Sequence, residues 1–148
     1  MVIEIGTHQG LSALALAKNL PPAGRLHSYD IVPWDRIPSQ TLRVDDFREG
    51  RIVPETADLG RQAVFEGHRE ILEAADLIFV DAAKDGRTEK VLLDRFETLQ
   101  FRTPPIVVFD DVRLWNMLGI WRSVSRPKLD ATSFGHWSGT GLIDWQRR

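Results

Sequence analysis

Hydrophobic positions along this chain repeat with two periods, and the switching between them predicts alternating strands and helices. Residues 2–6 (Val-Ile-Glu-Ile-Gly) form an apolar strand run that ends in a glycine. The Ala/Leu-rich segment 10–20 predicts a helix, stopped by Pro21-Pro22. Residues 25–31 read as a second strand, with Asp30 near its carboxyl end. Residues 33–50 hold two prolines, many charges and little periodicity, so they predict loop with one short helix. A weak third strand follows at 51–56. Residues 61–75 predict one amphipathic helix, with Val64, Phe65, His68, Ile71 and Leu72 on one face.

The clearest strand is 75–81, a continuous apolar run that ends in Asp81. A helix over 87–99 follows, with Val91, Leu92, Phe96 and Leu99 spaced for burial. Residues 106–111 predict a second buried strand, closed by Asp110-Asp111. Helix is expected over 114–124, then two closing strands at 129–134 and 141–145 around a turn containing His136 and Trp137. Trp34, Trp115, Trp121 and Trp145 are expected in the core or an interface, and Gln146-Arg147-Arg148 as a tail. This alternation points to one α/β domain over residues 1–148, with a mostly parallel sheet covered on both faces.

Composition narrows the function classes. Lys and Arg total 19 against 21 Asp and Glu, so the charge of −2 carries no footprint for nucleic acid or a membrane surface. The chain has no cysteine, which removes disulfides, thiolate metal sites and cysteine nucleophiles, and suits the cytoplasm. No apolar stretch approaches the roughly 18 residues of a membrane span, and Glu4 interrupts any leader-like run.

Candidate chemistry gathers at the predicted strand ends, where open parallel sheets bind ligands. Gly6 lets the chain turn sharply, and Gly10 lets the next helix start close to whatever lies in the crevice. Glu4 is an acid within an apolar strand and needs a partner. Asp30 stands where an acid can accept both hydroxyls of a ribose. Asp81, Asp110 and Asp111 end neighbouring strands about 4.8 Å apart, and three unpaired carboxylates there would repel one another. A hard divalent cation, best Mg²⁺, resolves that conflict; capping of the following helices is the plainer reading. Lys84, three residues past Asp81, is then a candidate general base, or else a surface lysine paired with Asp81 or Asp85. His136 and Trp137 face the acids if the closing strands run antiparallel, where they can hold an acceptor.

Together these segments resemble class I S-adenosylmethionine-dependent methyltransferases, most closely the metal-dependent O-methyltransferases acting on catechols, caffeoyl-coenzyme A and sugars. Three segments carry the likeness in order: Glu4-Ile5-Gly6-Thr7-His8-Gln9-Gly10-Leu11-Ser12, then Asp81-Ala82-Ala83-Lys84-Asp85, then Asp110-Asp111. The resemblance implies a Rossmann-like, doubly wound, seven-stranded sheet with a final antiparallel strand. It implies that Glu4, Gly6, Thr7, Gly10 and Ser12 surround the methionine part of the cofactor, that Asp30 holds its ribose, and that Ala57 and Asp58 lie near its adenine. It further implies that Asp81, Asp110 and Asp111 bind Mg²⁺, with Asp81 and Lys84 catalytic and Lys84 taking the proton from a small-molecule hydroxyl. The family's N-terminal lid helices have no counterpart before residue 2, so a trimmed or lidless core is expected, with a second subunit as one source of cover.

Three other readings compete. A nicotinamide oxidoreductase needs a middle glycine where Thr7-His8-Gln9 stand. A phosphoacceptor receiver domain needs its acid pair after the first strand. A degenerate core would bind cofactor or a partner without turnover.

Overall fold

The computed structural model describes residues 1–146, so the tail residues Arg147 and Arg148 lie outside it. Seven strands form one sheet: β1 (Val2–Ile5), β2 (Leu26–Asp30), β3 (Ile52–Thr56), β4 (Leu77–Val80), β5 (Ile106–Asp110), β6 (Lys128–Asp130) and β7 (Thr140–Asp144). Their order is β3-β2-β1-β4-β5-β7-β6. Every neighbouring pair is parallel except those of β7, which runs antiparallel to both β5 and β6. The chain thus winds outward from β1 in both directions, and its reversal point lies between β1 and β4. A doubly wound sheet places its ligand crevice there.

The helices are α1 (Leu11–Lys18), α2 (Gln62–Gly67), α3 (Arg69–Glu73), α4 (Thr88–Phe96) and α5 (Trp115–Ser123). Alternate residues of β1 serve two apolar clusters, as strand geometry requires. Ile3 and Ile5 join the larger cluster with Phe65, Leu92, Phe96, Val107 and Trp145. Val2 joins the smaller one with Ala13 and Ala17 of α1, Leu26, Leu42 and Ile52. No helix is long and apolar enough to cross a membrane among the described residues.

Several elements differ from expectation for identifiable reasons. The helix expected over 61–75 breaks at His68, whose backbone leaves the helix (φ −106°, ψ 4°). Gly67 just before it weakens the helix, and the His68 ring instead meets Tyr29 edge-on, with Nδ1 3.2 Å from the Tyr29 hydroxyl. The strand expected over 129–134 ends at Asp130, because its carboxylate accepts the Thr132 N–H and hydroxyl and turns the chain into a 3-10 turn. Residues 33–50 hold two 3-10 turns, Trp34–Arg36 and Val44–Phe47, in place of one helix. Pro54 explains the weak β3 signal, and β3 is an edge strand, where proline is tolerated. Trp121 and Trp145 are buried and Trp34 packs on Phe47, but Trp115 is 87% exposed and belongs to no core.

Candidate active site

The turn after β1 is built around two left-handed glycines. Gly6 (φ +107°) donates to the Tyr29 carbonyl at 2.8 Å, and a Cβ there would lie 1.9 Å from the Asp81 carbonyl oxygen. Only glycine allows β1 to end this close to the end of β4. Gly10 (φ +79°) starts α1, but a Cβ there would meet Leu42 at 2.3 Å and Gln40 Oε1 at 2.8 Å. The close approach expected at Gly10 is therefore made by the chain's own 40–42 segment. That segment is tied down by the Thr41 N–H to Gln9 O at 3.0 Å and by Gln40 Nε2 to His8 O at 2.9 Å.

Beneath this turn lies a buried polar chain. The Thr7 and Ser28 hydroxyls are 2.7 Å apart, and Ser28 donates to Glu4 Oε2 at 2.5 Å. Ser12 also hydrogen-bonds Glu4. Glu4 has no exposed surface, and burial pushes its pKa up to about 7 against the opposing pull of these hydroxyls. Glu4, Thr7 and Ser12 thus support the turn from below.

A cleft of about 520 Å³ opens beside the turn, at the ends of β1, β2 and β4. Gly6, Asp30, Ala57, Asp58 and Asp81 line it, together with His8 and Ala83. Its apolar wall is Ile5, Tyr29, Ile31, Leu59 and Leu92, which the sequence offered no means of assigning to a ligand. Asp30 is oriented by two backbone donors, His8 N–H at 2.9 Å and Val32 N–H at 3.0 Å, one to each carboxylate oxygen. Asp58 accepts the Gly60 N–H at 2.9 Å, which shapes the loop beside Asp30, where the Ala57 N–H donates to the Asp30 carbonyl at 2.9 Å. Another cleft, about 440 Å³, lies along Glu97, Arg126 and Trp145 and shares no lining residue with this one.

At one margin of the first cleft, the tips of β4 and β5 bring three carboxylates around one cation. Lys84 Nζ stands 2.8 Å from Asp81 Oδ1, 3.0 Å from Asp111 Oδ2 and 3.9 Å from Asp110 Oδ2. The repulsion expected among these acids is thus offset here by the chain's own ammonium. Burial pulls the Lys84 pKa down, but the hydrogen bond and charge of Asp81, joined by Asp111 and Asp110, outweigh it and hold the pKa above the ordinary lysine value. Burial raises Asp111, yet the Ser138 hydroxyl and Lys84 outweigh it and leave Asp111 below the usual carboxylate range. Lys84 (φ 57°) and Asp111 (φ 61°) are both left-handed, a backbone state that costs a side-chain-bearing residue about 1–3 kcal/mol. Such strain persists only where surrounding contacts fix the chain.

The β6–β7 turn closes over the acid pair. Arg113 N–H donates to Ser138 O at 2.7 Å and Val112 N–H to Gly139 O at 3.2 Å, which pins the turn to the end of β5. His136 Nε2 lies 3.0 Å from Asp110 Oδ1, and its Nδ1 lies 2.6 Å from Ser138 Oγ. One ligand atom each from Asp110, Asp111 and His136 lies within 4.8 Å of the others. Asp81 is not in that group and reaches Asp111 through Lys84. Trp137 projects outward, 81% exposed. The antiparallel closing strands therefore put His136 on the acids, and its contact with Asp110 is closer than a place in the turn implied.

Comparison with known proteins agrees with this architecture. A family profile described as "Methyltransferase domain" matches residues 3–112. No curated protein matches the chain. Among solved structures, the O-methyltransferase TomG from Streptomyces achromogenes, involved in tomaymycin synthesis and solved with SAM, is similar at 20% identity and a TM-score of 0.60, over 98% of this chain and 73% of TomG. A Klebsiella pneumoniae protein assigned as an O-methyltransferase is similar at 18% identity and a TM-score of 0.60, over 99% of this chain and 73% of that one. Since the profile spans the sheet from β1 to just past β5, including the glycine turn, Asp30, Lys84 and the acid pair, the chain belongs to the methyltransferase-domain family.

Proposed function

We propose that this chain is an S-adenosylmethionine-dependent O-methyltransferase that acts on a hydroxyl of a small molecule, catechol-like or sugar, with help from a divalent cation such as Mg²⁺. The observation that carries the reading is the meeting of Lys84 with Asp81, Asp110 and Asp111 at the edge of a cleft that also holds an oriented Asp30. The solved neighbour with bound SAM supports the same cofactor here.

The donor set fits a hard cation. Asp110, Asp111 and His136 offer two carboxylate oxygens and an imidazole nitrogen within one coordination sphere's reach, and Asp81 adds a further oxygen when Lys84 gives it up. When bound, the cofactor supplies an electrophilic methyl group and the cation a Lewis acid for the acceptor oxygen. Asp30 accepts hydrogen bonds from the ribose hydroxyls, and Ala57 and Asp58 flank the adenine. The turn from Gly6 to Gly10, supported by Glu4, Thr7 and Ser12, borders the methionine part. Lys84 Nζ would take the proton of the acceptor hydroxyl, and the cofactor, when bound, would supply the methyl group and keep the bonding electrons on its sulfur. Lys84 is held charged by the three carboxylates, so it must leave them and give up one of its own protons to solvent before it can accept that of the acceptor. His136 would face the acceptor, with the exposed Trp137 beside it in the same turn.

The acceptor is the expected partner, with no nucleic acid or membrane, and the cysteine-free composition favours the cytoplasm. Trp115, Phe134 and Trp137 are exposed, which suits a second copy covering the site. A second reading, a core that binds cofactor or a partner without turnover, draws on the Lys84 ammonium held among the carboxylates. Methyl transfer to a panel of catechols and sugars, with and without Mg²⁺, separates the two. Magnesium-dependent product supports catalysis, and cofactor binding without product selects the inactive core.

A further inference from the structure

Glu89 has no exposed surface, and none of the chemistry above uses it. It lies in the first turn of α4. One carboxyl oxygen, Oε1, accepts the backbone N–H of Lys84 at 2.7 Å, and the other accepts that of Gly86 at 3.2 Å. Both donors are left-handed, at φ 57° and 74°. α5 also packs closely on this loop: a Cβ on Gly86 would lie 2.5 Å from the Asn116 carbonyl oxygen, and Asn116 Nδ2 donates to the Lys84 carbonyl at 3.4 Å. The loop carrying Lys84 thus touches both a buried acid and the start of α5.

We infer that Glu89 is the positioning residue for Lys84: by accepting both N–H groups it holds the left-handed turn that aims the ammonium at Asp81 and Asp111. Left to itself, Lys84 relaxes to negative φ, since the left-handed state is uphill for a residue with a Cβ. That rotation turns its Cα–Cβ bond away, and the ammonium with it. An acid that only complemented the dipole of α4 would work equally well exposed at the surface. Burial and acceptance from two left-handed residues, Lys84 and Gly86, fit a clamp instead. The consequence for turnover rests on the reading of Lys84 as proton acceptor; the clamp itself does not.

The test is Glu89→Gln, which keeps the volume but replaces one acceptor oxygen by an amide group that cannot accept. In native-state hydrogen exchange followed by NMR, the Lys84 or Gly86 amide of E89Q exchanges roughly tenfold faster, the value of one lost hydrogen bond, while the Ile78 amide in β4 is unchanged. In turnover assays kcat falls roughly 10- to 100-fold, the cost of a misplaced catalytic group, while affinity for S-adenosylhomocysteine holds. Unchanged protection of both amides overturns the clamp. So does an equal loss of kcat and cofactor affinity, which gives Glu89 only a general structural role. A wild-type chain that methylates nothing defeats the functional reading instead, and the exchange measurement still decides the clamp.

Discussion

Glu4→Gln should remove a pH dependence of stability that the wild-type chain carries in its core. Glu4 is fully buried, and its pKa rises from 4.5 to about 7. Between those values the native chain keeps a proton that the unfolded chain releases. The native state then binds more protons than the unfolded one, so stability falls as pH rises through this window. The contribution is complete below the unfolded value and fully lost above the native one. At 1.36 kcal/mol per pKa unit, the whole difference amounts to about 3 kcal/mol. Glutamine has the shape of the protonated acid and does not titrate, so Ser28 and Ser12 keep a neutral partner. Urea unfolding of both proteins at about pH 5 and pH 8 reads the effect. The stability of E4Q relative to wild type should improve by about 2–3 kcal/mol from the lower to the higher pH. With a urea slope of about 2 kcal/mol per M, the midpoint difference moves by roughly 1 M. A difference that stays constant with pH would mean that Glu4 is ionised in the native state, and the buried hydroxyl chain would need another explanation.

Three further outcomes follow from the site. Lys84→Ala should lower turnover roughly 10²- to 10⁴-fold while leaving S-adenosylhomocysteine affinity nearly intact; equal losses in both, measured by steady-state kinetics and calorimetry, count against the proton-accepting role. Asp30→Ala should weaken S-adenosylhomocysteine binding roughly 10- to 100-fold, since two charge-assisted hydrogen bonds to a ribose disappear, and adenine alone should bind both proteins equally. His136→Ala should weaken Mn²⁺ binding, followed by electron paramagnetic resonance, by roughly 10- to 100-fold; an unaltered affinity removes the imidazole from the cation's surroundings.

Legibility of these features in the sequence varied with the distance over which each is determined. β4 and β5 could be read because buried parallel strands are continuously apolar and stop at acids, as 75–81 and 106–111 do. Convergence of Asp81, Asp110 and Asp111 followed from strand neighbourhood alone. What fills the space between them did not, because the reach of the Lys84 ammonium depends on a left-handed backbone that no periodicity encodes. Gly10 was legible as a tight approach, but its neighbours Leu42 and Gln40 come from a segment without periodicity. His68 was expected on the apolar face of one long helix, yet it stands between α2 and α3, where its ring meets Tyr29 across the fold. Glu89 carries no sequence signal, because an acid in the first turn of a helix looks like ordinary surface decoration. Trp115 shows the reverse case, a residue type expected inside that points into solvent.

Calorimetric titration of the wild-type chain with S-adenosylhomocysteine, before and after removal of divalent cations, goes to the heart of the assignment. One molecule should bind per chain in both conditions, because Asp30 and the 57–60 loop, proposed to hold the nucleoside, are separate from the acid pair. Absence of binding in both would contradict the proposal that the cleft beside Gly6 receives a sulfonium nucleoside.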